Sequence, residues 1–176
     1  MRRVIGLVLG MALTSPAFAQ PNQNESSGRV CSALDASLPD GLKDWNGAAP
    51  LTTASRADDL ARAEITLGVG YEATLGRTAS IVMPVQPEKP GGSVSHAGLF
   101  SFRVGEAGDY AVALGSAAWI DVLEGGKAVA PKSFGHGPEC TSIRKIVVFT
   151  LKAGWHTLQI SANADPRLKL MVVRQP

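Results

Sequence analysis

The sequence holds 176 residues, with 17 Lys and Arg against 15 Asp and Glu and a formal net charge of +2. Both excess charges, Arg2 and Arg3, belong to an N-terminal export signal, so the chain beyond it is neutral at 15 against 15. Nothing in so neutral a chain is strongly basic, as the electrostatic face for nucleic acid would be, although local patches such as Arg144-Lys145 and Arg167 with Lys169 remain, and no apolar run reaches the roughly 20 residues of a membrane-spanning helix.

The signal occupies residues 1–19. After Arg2-Arg3 comes the apolar run VIGLVLGMAL, Val4 to Leu13, then TSPAFA with small residues at Ala17 and Ala19. That order predicts cleavage between Ala19 and Gln20 and a product that is periplasmic or extracellular. No Cys stands just after the cleavage site, so a lipidated N-terminus is not expected. The polar stretch QPNQNESSGR that follows resists folding, and residues 20–30 are read as a disordered leader. Removing residues 1–19 leaves 157 of the 176 residues, and residues 31–176 suit one domain with a single core.

Cys31 stands at the end of the leader and Cys140 in a loop before a strand. Two cysteines in an oxidising compartment pair, which predicts a Cys31–Cys140 disulfide that pins the N-terminal segment to the domain. In the same segment, Trp45 of LPDGLKDW is expected to pack near that bond.

The dominant period beyond this point is two, the period of strands. RADDLARAE suits one helical turn. AEITLGVGYEATL and TASIVMPVQ suit strands, with Gly68 and Gly70 marking a bulge or bend. PEKPGGS is a surface loop. In GLFSFRVGEAGDYAVAL, Phe100, Phe102 and Val104 alternate with polar residues. After GEAGD, Tyr110, Val112 and Leu114 alternate again, which predicts a hairpin. In AAWIDVLEGGKAVA, Ile120 and Val122 face one way and Trp119, Asp121 and Leu123 the other, before a tight turn at Gly125-Gly126.

PKSFGHGPECTS follows as a loop. IRKIVVFTL is apolar on both faces, as a central strand is. KAGWH turns the chain. WHTLQIS puts His156, Leu158 and Ile160 on one face and Trp155, Thr157 and Gln159 on the other. ANADP turns once more, and RLKLMVV is a last strand. About eight or nine short strands without a long helix make an all-β protein, a β-sandwich of jelly-roll type.

The pattern FSFRVGEAGDYAVAL, WIDVLEGGK, FTLKAGWHTLQIS and LKLMVV, over roughly residues 95–173, resembles the jelly-roll modules of secreted bacterial enzymes. Those include pre-peptidase C-terminal domains and carbohydrate-binding modules. A second set of motifs runs across nearly the whole mature chain. LP-x-GL-x-x-W spans Leu38 to Trp45, AWIDV spans Ala118 to Val122, GHGPxC spans Gly135 to Cys140, and IRKIV spans Ile143 to Val147. This set resembles a family of small exported bacterial proteins, some of whose members carry the name homogentisate 1,2-dioxygenase. The name implies an iron held by two histidines and a carboxylate.

The residues supply three histidines, His96, His136 and His156, but no H-x-D/E followed by a distant His. An iron site would need His136, His156 and either Asp121 or Glu139. The plainer expectation places His156 in the core or at a strand end and His96 exposed at a strand start. His136 then braces a loop by bonding a backbone carbonyl. No G-x-S-x-G occurs for a serine hydrolase, and Cys140 would act as a nucleophile only if unpaired.

Binding requires less machinery. β-Sandwiches bind sugars by stacking them on exposed aromatic rings, and Trp155 beside a turn is the better exposed ring. Trp119 either fills the core or forms a second platform with Asp121. Arg144 and Lys145 either grip an anionic ligand or lie solvated at a strand start. The sequence therefore predicts a non-catalytic exported module, without a cofactor, that binds a polysaccharide or a partner protein at the cell envelope. The alternative is a small iron-dependent oxidoreductase using His136 and His156.

Overall fold

The structure is a computed structural model that describes residues 31–175. The expected signal, its expected cleavage site and the expected leader lie outside those residues. From Cys31 onward the chain forms one compact unit, and among the described residues no helix is long and apolar enough to cross a membrane.

Among the described residues twelve strands build two sheets. In chain order they are β1 (Ala49–Thr52), β2 (Glu64–Ile65), β3 (Tyr71–Thr74), β4 (Gly76–Arg77), β5 (His96–Val104) and β6 (Gly108–Leu114). Then come β7 (Trp119–Glu124), β8 (Lys127–Ala128), β9 (Ser133–Gly135), β10 (Lys145–Leu151), β11 (Gly154–Asn163) and β12 (Arg167–Arg174). Sheet A runs β1-β3-β12-β6-β10-β9, and sheet B runs β2-β5-β11-β7-β8 with β4 also on β5. Three short 3-10 turns complete the regular structure, at Asp40–Asn46, Ala57–Arg62 and Thr78–Ser80. The second is the helical turn expected in RADDLARAE.

The fold is the expected all-β sandwich, with more strands than the eight or nine anticipated. The excess consists of the two- and three-residue strands β2, β4, β8 and β9. A period of two is invisible in segments that short. One of them, Ser133–Gly135, lies inside what the sequence suggested was only loop, and it pairs with β10 through Phe134 opposite Val147.

The expected hairpin at GEAGD is not one. β5 pairs with β11, whereas β6 pairs with β10 and β12, so the chain crosses from sheet B to sheet A at this turn. Phe100, Phe102 and Val104 therefore meet Tyr110, Val112 and Leu114 across the core instead of lying beside them. The buried hydroxyl of Tyr110 donates to the Glu106 carbonyl at 2.8 Å and pins the arch, the tyrosine-corner device of β-sandwiches. KAGWH and ANADP are also crossings between sheets. The Gly125-Gly126 turn is a true hairpin: β7 pairs with β8, and both glycines have positive φ, 56° and 77°.

TASIVMPVQ is not a strand. After the turn at Thr78–Ser80 it becomes an extended strap that crosses the outer face of sheet B. Gln159 holds it by accepting from the Val85 amide and donating to the Val85 carbonyl, both at 3.1 Å. Ser161 adds a third bond to the Lys89 carbonyl at 2.8 Å. With prolines at 84, 87 and 90, this segment cannot offer the full ladder of donors a strand needs. It is held by side chains instead.

The core lies between the sheets. Phe100, Phe102, Phe149, Leu158 and Ile160 are fully buried there, each contributing about 1.5–3 kcal/mol by leaving water. A second cluster covers the outer face of sheet A. There Leu42 and Trp45 of the first 3-10 turn pack on Ala111, Ala113, Ile143, Met171 and Val173. This outer cover explains why β10 is apolar on both faces although it lies next to an edge: Val147 and Phe149 face the core, and Ile146 and Val148 face the cover.

Candidate functional site

The Cys31–Cys140 disulfide is present, with Cα atoms 5.3 Å apart. A knot of polar bonds surrounds it. Asp35, at φ 59°, accepts from the Ser142 amide at 2.7 Å and from the Ser142 hydroxyl at 2.6 Å. The indole N–H of the fully buried Trp45 donates to the same hydroxyl at 2.8 Å. Trp45 packs the N-terminal segment beside the disulfide, as expected.

His136 is exposed, and its Nδ1–H donates to the Arg144 carbonyl at 3.3 Å. The loop around it turns for a reason other than glycine freedom at Gly135 and Gly137, neither of which has positive φ. Cys140 itself takes the left-handed conformation, at φ 58°. Gly137 is needed for space, because a Cβ there would collide with the Ile143 carbonyl oxygen.

His156 is buried, 5.4 Å from the Phe102 ring centroid, and its Nε2–H donates to the Lys152 carbonyl at 2.9 Å. The carbonyls that the two histidines bond, of Arg144 and Lys152, stand at opposite ends of β10. Eight residues of strand at about 3.3 Å each put them roughly 25 Å apart. The iron pair His136 and His156 is therefore not brought together, and among the described residues no three His, Cys, Asp or Glu side chains gather as a metal site. His96 opens β5 but is half-buried, not exposed, because β4 pairs over it at Arg77.

The other candidates do converge. The register of β11 on β7 sets Ser161 opposite Trp119 and Gln159 opposite Asp121. Trp119 and Asp121 thus share the outer face of sheet B with the two residues that hold the strap. Neither Trp119 nor Asp121 is fully buried, and Trp119 does not fill the core. The indole N–H of Trp119 donates to Asp121 Oδ1 at 3.0 Å. Lys145, at the start of β10, reaches across from sheet A and donates to the Ala118 carbonyl at 2.9 Å. Its Nζ lies 5.5 Å from the Trp119 ring centroid, and that of Lys89 lies 5.3 Å from it.

These groups open onto a cleft of about 350 Å³ between the sheet edges, walled by Val129, Phe134, Val147 and Phe149. Burial raises the pKa of Asp121, partly offset by its hydrogen bonds from Trp119 and Gln159. Burial lowers that of Lys145, with the neighbouring Lys89 adding to the effect. An aromatic ring, a carboxylate and two ammonium groups around an apolar floor can stack a flat apolar ligand face and bond its hydroxyl or anionic groups.

Arg144 is exposed one residue before Lys145 and does not line the cleft. Trp155 is 55% exposed, but at a different place: a shallow groove of about 340 Å³ with Leu60, Ala61, Glu64 and Thr157. The two platforms the sequence offers are therefore separate. Sequence reasoning missed Lys89 and Phe134. Phe134 left a signal, a lone aromatic among turn residues, whereas Lys89 in PEKPGGS left none. No protein-family model and no curated protein matches the chain.

Proposed function

We propose that this is an exported, non-catalytic β-sandwich that binds a polysaccharide at the cell envelope through the Trp119 cleft. The observation that carries this reading is the convergence of Trp119, Asp121 and Lys145 on one apolar-floored cleft. Sugars present an apolar ring face edged by hydroxyls, and the cleft offers an indole edged by an acceptor and donors. The disulfide supports export, since such bonds persist in oxidising compartments. The strand order supports the jelly-roll reading: β3-β12-β6-β10 faces β5-β11-β7-β8, two four-stranded sheets between which the chain repeatedly crosses.

A partner protein is the second reading, and one observation favours it. Phe134 is 80% exposed on a three-residue edge strand beside the cleft. The test is a panel of envelope glycans and peptidoglycan fragments offered to the purified domain. Saturable binding to one glycan class, lost in Trp119→Ala, is expected. Binding to no glycan, or glycan binding indifferent to Trp119→Ala, contradicts the reading.

A further inference from the structure

We propose that the Trp119 cleft selects an acidic sugar, a saccharide unit bearing a carboxylate that Lys89 and Lys145 hold together. This inference rests on the saccharide reading of the cleft and names its ligand class.

The two ammonium groups reach one indole from opposite parts of the fold. Lys89 belongs to the strap and is placed by the Ser161 hydroxyl on its carbonyl. Lys145 belongs to sheet A and is placed by its bond to the Ala118 carbonyl. Among the described residues neither lysine is in an ion pair, although Lys43, Lys132 and Lys152 each are. The acids facing this spot are committed elsewhere or outlying. Asp121 spends Oδ1 on the Trp119 N–H and its Oδ2 lies 3.5 Å from the Gln159 amide. Glu88 is exposed on the strap and acts on Asp121 as a like charge. Lys145 feels Lys89 as a like charge and Asp121 as an opposite one, so the two ammonium groups are close enough to repel each other. Bringing two like charges to one partly buried place is unfavourable unless an anion joins them.

Without a ligand, Lys89 has the indole face, and Lys145 has the indole face and the Ala118 carbonyl. A cation–π contact is a weaker partner than a carboxylate, which offers charge-assisted hydrogen bonds. A sugar carboxylate therefore draws both amines off the ring, and the exposed ring face stacks against the pyranose. Asp121 lies beside the ring as an acceptor for a hydroxyl. Charge and stacking are then satisfied by one acidic monosaccharide unit, which a neutral sugar cannot do.

The test is calorimetric titration of the purified protein at low salt with three probes: trigalacturonic acid, its fully methyl-esterified form, and cellotriose. The acid is expected to bind about tenfold more tightly than the ester, the ratio by which a charge-assisted bond exceeds a neutral one. Added salt should erode that preference. Lys89→Met keeps most of the side-chain stem and removes an exposed charge that no ion pair uses; it should bring acid and ester to the same affinity. Lys145→Met should do likewise, and thermal unfolding checks that each variant is folded. Equal binding of acid and ester by the wild type overturns this inference and leaves the saccharide reading standing. An acid preference that survives both lysine variants also overturns it. Binding of none of the three probes overturns the inference, and the saccharide reading falls with it when the wider glycan panel shows no binding either.

Discussion

The two sheets are covered on their outer faces in opposite ways. Sheet A is sealed by apolar contact: Leu42 and Trp45 are buried against Ala111, Ala113, Met171 and Val173, and the disulfide fixes that segment's end. Sheet B is covered by a proline-rich strap whose hold is polar, through the buried Gln159 and Ser161. Apolar sealing has no gaps and no directional demands, so it stabilises and offers nothing to a ligand. A polar strap leaves side chains with unused hydrogen-bonding capacity at its margin. The candidate cleft opens at that margin, where the strap ends at Lys89 over Trp119.

That contrast predicts different responses to damage. The largest effect should follow Cys31→Ser with Cys140→Ser, which frees a loop of 109 residues. On the chain-entropy view the loss is about 4–5 kcal/mol, measured as a fall in the urea midpoint that reductant reproduces in the wild type. Insensitivity to both would mean that the apolar cover holds the segment alone. Trp45→Ala should cost about 3–5 kcal/mol while leaving the Trp119 cleft intact, so ligand affinity measured well below the new melting point should not change.

On the other face, Gln159→Leu strips both bonds from Val85. It should cost about 1–3 kcal/mol and accelerate hydrogen exchange at the Val85 amide, with no such change at Ala111 or Ala113 on sheet A. Uniform exchange across both sheets would erase the distinction between the two covers.

The smallest effect concerns pH. Asp121 has a folded-state pKa raised above the ordinary 3.8, chiefly by burial. The folded protein therefore holds that proton more tightly than the unfolded chain, and acidification through the window just above 3.8 favours folding at this residue. The Asp121→Asn variant lacks that contribution, so across that window it should lose slightly more stability than the wild type does. Asp109 works in the opposite sense. Hydrogen bonds from Lys132 and Thr150 lower its pKa, and whatever stability it adds is lost as pH falls through that lowered value. A wild type that loses stability faster than Asp121→Asn would contradict the assignment of Asp121 to a partly dry cleft.

Much of this fold was legible in the sequence, because alternation reports which side chains face inward. Phe100, Phe102, Tyr110, Val112, Leu158 and Ile160 all point into the core as their spacing indicates. Alternation does not report which strand lies alongside. The arch at GEAGD has the same local pattern whether the chain folds back in its own sheet or crosses to the other. Only long-range pairing of β5 with β11 decides. The strap was misread because Ile81, Met83 and Val85 alternate with exposed residues as a strand's would, while its bonds come from Gln159 and Ser161, far along the chain. Of the site, Trp119, Asp121 and Lys145 stood out by residue type. Their convergence did not, since it depends on sheet B meeting the start of β10; by sequence Trp155 was the better exposed ring and Arg144 stood level with Lys145 until the structure separated them.

The most direct measurement compares the half-buried Trp119 with the exposed Trp155 for binding of whichever glycan the panel identifies. Trp119→Ala should weaken that binding by more than about tenfold, the scale of losing a stacked aromatic partner, with thermal stability little changed. Trp155→Ala should leave affinity as it was. The reverse outcome, affinity lost with Trp155 and kept without Trp119, would move the site to the groove beside Leu60 and contradict the account.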